Sequence, residues 1–237
     1  MQTAATSRAD AIDRYLVLVD ISGYTGFLAG VETMHGEDFS GGLPAGYRAL
    51  GELVQGVIDG LQPEFELVKV EGDAVFGAAA ASVLDGHGPT VLERLATLYS
   101  AFLEQRDVLA RTASDDKCSA CFAVATLDLK AVIHRGLAVR QTMGSAGDLI
   151  GPAVNVAHRL LKNTVREQIG HRPYLLVTQP AAERLDLADL GVDHREAYAD
   201  VGPIDTRVAD LAVLAGLSEH ARSTGIEGLP AITLAPD

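Results

Sequence analysis

Residues 15–21, YLVLVDI, form a nearly unbroken apolar run that ends at Asp20 and Ile21. A run of this length without polar alternation predicts a strand covered on both faces, so the chain must supply layers above and below a sheet. With 237 residues, 48% of them hydrophobic and 22% charged, it can bury a core of that kind without covalent staples.

The remaining pattern alternates helices with strands. Apolar residues from Leu43 to Leu61 follow helical spacing, Pro63 ends that helix, and FELVKV (65–70) and AVFGAAA (74–80) read as strands joined at Gly72. A second amphipathic helix covers 91–103, followed by a polar loop, RTASDDK (111–117). LDLKAVIHRG and GLAVRQTM read as two strands with a tight joint at Gly136. A glycine-bearing loop, GSAGDLIG, then leads to Pro152, a favoured first helical residue, and to the helix PAVNVAHRLLKNTV. YLLVT (174–178) is a strand, a short helix covers 180–188, and HREAYADV and DTRVADL close the sheet. No repeat or linker interrupts this order, which predicts one α/β domain with a loosely assigned tail from Val213. The hairpin at Gly72 excludes a purely parallel sheet.

The formal charge of -13 argues against a nucleic-acid partner, since such proteins cluster Lys and Arg to displace counterions. No segment approaches the roughly 20 apolar residues that span a bilayer, and the first thirteen residues lack the pattern of a signal peptide. Cys118 and Cys121 are too few for a disulfide framework and fit a reducing cytoplasm. Their spacing suits zinc, but no second pair is evident, so both are read as ordinary loop or core cysteines.

Certain charged positions need explaining. Asp20 ends one strand and Asp73 begins another, and paired carboxylates of this kind suit a hard divalent cation; the alternative is a helix cap and a turn residue. Asn155 and Arg159 stand four apart on one helix face, as donors to a polyphosphate or as ordinary surface residues. Lys130 and Lys162 read as solvated, and His134 and His158 as core or helix-surface groups.

DISGYTGF (20–27), KVEGD (69–73), HRG (134–136) and DLIGPAVNVAHRL (148–160), in this order, resemble the catalytic domain of class III nucleotidyl cyclases. The resemblance runs from Tyr15 to Asn163 and more weakly to Leu211. It implies an α+β, ferredoxin-like βααββαβ fold with a mostly antiparallel central sheet flanked by helices. The corresponding boundaries are a disordered 1–13, a catalytic domain 14–212 and a C-terminal extension 213–237. It also implies that Asp20 and Asp73, with the carbonyl of Ile21, hold two Mg²⁺ or Mn²⁺ ions, and that Lys69 and Asp148 read adenine. Asn155 and Arg159 would stabilise the transition state. Two chains pair head to tail in the family, each site drawing its metal aspartates from one and the other residues from its twin. The implied reaction converts ATP to cyclic AMP and pyrophosphate in a cytoplasmic homodimer.

Two features depart from the family. The closing strands offer Arg207 where a lysine is usual, and Glu71 replaces an apolar residue between Lys69 and Gly72. Both motivate alternative readings: a nucleotide-binding signalling module without turnover, or a cyclase for another nucleotide.

Overall fold

The computed structural model describes residues 11–36, 40, 42–115, 119–143 and 146–224. The apolar run lies in β1 (Ala11–Ser22), which starts within the stretch expected to be disordered. Then follow α1 (Tyr24–His35), α2 (Ala45–Leu61), the hairpin β2 (Glu66–Glu71) and β3 (Ala74–Ala80), a short α3 (Ala81–Leu84), and α4 (Gly88–Asp115). After α5 (Ser119–Phe122) and a 3-10 turn come β4 (Asp128–Met143), β5 (Ala146–Ile150), α6 (Pro152–Leu160) and α7 (Val165–Ile169). The chain continues through β6 (Tyr174–Thr178), α8 (Gln179–Arg184), β7 (Val192–Tyr198), β8 (Gly202–Asp210) and α9 (Leu211–Thr224).

Among the described residues the sheet has eight strands in the order β2-β3-β1-β4-β6-β8-β7, with β5 paired to β4. Only β4 and β6 run parallel, so the sheet is mostly antiparallel, as expected. The strand alternation divides the core in two. Tyr15, Val17, Val19 and Ile21 face one apolar cluster, shared with α1, α2, α4 and α9. Leu16 and Leu18 face the other, under α6. Both faces of β1 are thus covered, which explains the missing polar alternation.

Four local expectations are corrected. Gly136 is no joint: β4 runs straight through it, and a Cβ there would lie 2.8 Å from the Ala153 Cβ, so the glycine lets α6 approach the strand. Residues expected to form the loop GSAGDLIG instead include β5, which folds back on β4. The polar stretch after residue 110 is not a loop at its start, because α4 extends to Asp115; α4 also packs against α9, part of the tail left unassigned by pattern. The helix from Pro152 ends at Leu160, where Asn163 Nδ2 donates to the Leu160 carbonyl (2.7 Å), and a separate α7 follows. Cys121 is buried with its Sγ 3.4 Å from His35 Nε2; Cys118 lies outside the described residues.

His134 on β4 meets the buried Thr178 hydroxyl at 3.1 Å, and burial pushes its pKa from 6.5 down to about 4. Below pH 6.5 the unfolded chain takes up a proton that the folded ring refuses. Stability is therefore expected to fall by about 3 kcal/mol as the pH drops from 6.5 towards 4, and to level off below that. Urea midpoints across this range test it, with His134→Asn expected to flatten the dependence.

Candidate active site

Asp20 lies opposite Ala74 of β3 and Lys130 of β4 near the end of β1. Asp73 follows Gly72, whose φ of +66° makes the left-handed turn between β2 and β3. Burial, and then the neighbouring Asp20 charge, raise the Asp73 pKa above the ordinary carboxylate range; a backbone hydrogen bond and Lys130 oppose this. Lys130 is not solvated as expected. Its Nζ lies 3.2 Å from Asp20 Oδ1 and donates to the Leu161 carbonyl at 3.4 Å. The β1–β4 register places it there, and register is not readable from a local pattern.

Two mutually repelling carboxylates suit a hard divalent cation, which takes one or two of them and completes its shell with water and phosphate oxygens. The Ile21 side chain is buried in the core, so its main-chain carbonyl is the donor it can add. Among the described residues no group of three or more His, Cys, Asp or Glu forms a fuller cage. A carboxyl whose folded pKa is raised stabilises the fold only at low pH, and that contribution is lost as the pH rises. Asp73→Asn is therefore expected to raise the Tm of metal-free protein at pH 7 and to reduce the further gain from added Mn²⁺. Thermal scans with chelator and with Mn²⁺ check both, and an undiminished Mn²⁺ gain in the variant would count against this pair as ligands.

Lys69 follows a register shift in β2, and Asp148 lies on β5. Although 79 residues apart in sequence, they meet at 3.0 Å between Nζ and Oδ2. Glu71 Oε1 approaches the same ammonium at 2.8 Å. Burial works against the Lys69 charge, but the two carboxylates outweigh it and raise the pKa. Burial likewise pushes Asp148 up, yet Lys69 and the Leu149 amide hold it below the ordinary range. His158 sits edge-on to Phe76, with ring centroids 5.2 Å apart, and its Nδ1 is 3.4 Å from Glu71 Oε2.

Gly151 and Pro152 open α6, which presents Asn155 and Arg159 on its exposed face while Ala153, Val154, Ala157 and Leu160 are buried. Arg159 donates to Asp200 of the β7–β8 turn at 2.7 Å. Asp20, Lys69, Asp148, Asn155 and Arg159 border one open cleft of about 840 Å³, together with Glu71, Lys130, His158 and Asp200. Asp73 is coupled to the cleft through Asp20 rather than by lining it. Sequence reasoning did not place Lys130, His158 or Asp200 here. Their signal is tertiary, apart from the i, i+1 neighbourhood of His158 and Arg159.

The family model described as "Protein of unknown function (DUF2652)" matches residues 50–169, half of the chain. The chain belongs to this family. The matched DUF2652 segment contains Lys69, Asp73, Asp148, Asn155 and Arg159, whereas Asp20 precedes it. A relative in Mycobacterium tuberculosis, the uncharacterized protein Rv2561/Rv2562, is 29% identical over 168 residues, covering 69% of this chain and 74% of the relative. Among solved structures, the guanylyl cyclase Cya2 superposes with a TM-score of 0.58 at 13% identity, covering 84% of this chain and 91% of that one. A bacterial light-regulated adenylyl cyclase gives 0.59 at 16%, covering 91% of this chain and 58% of the other, so the DUF2652 chain spans just over half its length. The adenylyl cyclase CyaB from P. aeruginosa gives 0.53 at 14%, with coverage of 86% and 97%. At these identities the likeness is one of fold, and the fold is that of nucleotidyl cyclase catalytic domains. No helix among the described residues is long and apolar enough to cross a membrane.

Proposed function

We propose that this chain is a nucleotidyl cyclase that converts ATP to cyclic AMP and pyrophosphate as a cytoplasmic homodimer, with residues 14–212 as its catalytic unit. The observation that carries the reading is the meeting of Lys69 and Asp148 in the cleft bordered by Asn155 and Arg159 of the same chain. The ribose 3′ oxygen attacks the α-phosphorus, the bond to the bridging oxygen of the β-phosphate breaks, and pyrophosphate leaves with the electron pair while the hydroxyl proton passes to solvent.

Lys69 donates to a ring nitrogen of adenine and Asp148 accepts from its amino group. Asn155 orients the ribose, and Arg159 offers a planar fork of donors to the α-phosphate, where charge gathers. Bound Mg²⁺ or Mn²⁺, two per site, would supply Lewis-acid activation of the 3′ hydroxyl and neutralise the triphosphate. For this chain's own part, Asp20 and Asp73 with the Ile21 carbonyl supply the ligands, and Lys130 balances Asp20 before they are used. A twin subunit would complete the site, with the aspartates from one chain facing α6 of the other.

The test is a product assay with ATP and Mn²⁺, reading cyclic AMP and pyrophosphate together. Nucleotide binding without either product would replace this reading with a second one, a signalling module that binds but does not turn over. That alternative is favoured by the Arg159–Asp200 pair, which already occupies the guanidinium.

A further inference from the structure

We propose that Glu71 gives the base end of the cleft a second carboxylate that reads guanine, so the site accepts both purine triphosphates, with Asp148 serving adenine and Glu71 serving guanine. This rests on the reading of Lys69 and Asp148 as base contacts.

The grouping of charges favours a base over a phosphate here. One ammonium lies between two carboxylates, at 2.8 Å from Glu71 and 3.0 Å from Asp148, so the trio carries net negative charge. Such a wall repels phosphate and suits a neutral ring rich in N–H donors.

The two carboxylates differ in what they have left to offer. Asp148 Oδ1 accepts from the Leu149 amide at 2.7 Å, so Oδ2, already on Lys69, is the oxygen that remains for a ligand. It suits a base that presents one N–H beside an acceptor, which is the adenine edge: the 6-amino group next to N1. Glu71 has no such backbone tie. Its Oε1 faces Lys69, and its Oε2 has only the long 3.4 Å approach to His158, whose ring is held against Phe76. Two parallel oxygens beside an ammonium match the guanine edge, where O6 accepts from Lys69 while N1–H and the 2-amino group donate to one carboxylate in bidentate fashion. Uracil offers no pair of adjacent donors, and cytosine, whose 4-amino group next to N3 repeats the adenine edge, engages Asp148 alone, so neither pyrimidine uses Glu71 in this way.

Calorimetric binding of ATP, GTP, CTP and UTP to the full chain, with Ca²⁺ in place of Mg²⁺ to suppress turnover, tests this. Wild type is expected to hold GTP within about tenfold of ATP and both purines above UTP. Glu71→Gln should lower the ratio of GTP to ATP affinity by about ten- to a hundredfold, the usual consequence of losing a charged acceptor from a paired donor, and Asp148→Asn should raise it. A ratio unchanged in Glu71→Gln, with ATP still bound, overturns the role of Glu71 and leaves the cyclase reading standing. Equal binding of all four nucleotides, or of none, overturns the base-reading assignment and this inference with it. Glu71 is partly exposed, and matching far-UV circular dichroism of the two variants shows that an altered ratio comes from recognition rather than misfolding.

Discussion

Replacing Arg159 by alanine is expected to lower the rate of cyclic AMP formation by about 10²–10³, the effect of removing one donor aimed at developing charge, or about 2.7–4 kcal/mol in the barrier. Because the side chain is half exposed on α6 and tied only to Asp200, its removal should leave the fold intact. The loss should therefore appear in kcat with an unchanged Tm. Asp73→Ala is expected to be inactive for a different reason, the loss of a cation ligand. If the catalytic constellation is split between twin subunits, mixing the two inactive proteins restores function: half of the random dimers are mixed, each has one complete site, and about one quarter of wild-type activity returns. Flat activity on mixing would place all these groups in a single chain's cleft. Undiminished activity in Arg159→Ala would remove the guanidinium from the chemistry.

Glu196→Ala is expected to cost about 1–3 kcal/mol of stability, more than an ordinary surface change. Glu196 lies on β7 at 3% exposure, and one of its oxygens accepts from the Thr164 amide at 2.7 Å and the Thr164 hydroxyl at 3.0 Å and lies 2.6 Å from His194 Nε2. Truncation leaves the Thr164 amide and the His194 ring without their acceptor, and although water reaches the exposed Thr164, the space vacated by the buried carboxylate is lost as a hydrogen-bonding site. Thr164 precedes α7, just beyond α6, so the carboxylate also fixes how the site helix is anchored. Urea unfolding measures the loss. Glu196→Gln, which keeps an acceptor oxygen, should recover a good part of it, and a cost below about 1 kcal/mol for the alanine variant would mean that water replaces the carboxylate.

Much of the fold was legible because its strands and helices announce themselves by period. YLVLVDI could be read as a strand covered on both faces since only such a strand tolerates that composition, and Pro152 marked the start of α6 correctly. The errors have a common physical origin. Gly136 carried a turn signal, but its small size serves a helix packed across the strand, a contact that exists only in three dimensions. The polar stretch after residue 110 looked like a loop since only the small Ala110 and Ala113 mark its buried side, and the packing of α4 against α5 and the turn that follows exists only in three dimensions. The candidate acid, base-reading and helix positions came from four short motifs in series. The ion pairs that hold them, Lys130 with Asp20, Glu71 with Lys69 and Asp200 with Arg159, depend on strand register and turn placement.

Lys130 bridges the end of β1 and the end of α6. Its ammonium balances the end of the first strand and, through the Leu161 carbonyl, sits at the negative pole of the helix bearing Asn155 and Arg159. Whatever draws Asp20 away from it leaves that cation to the helix alone. On the proposed reading, a cation taken up at the acidic corner is expected to be felt at the opposite wall, so that the affinities for ion and nucleotide shift together, each measurable as a change in the other.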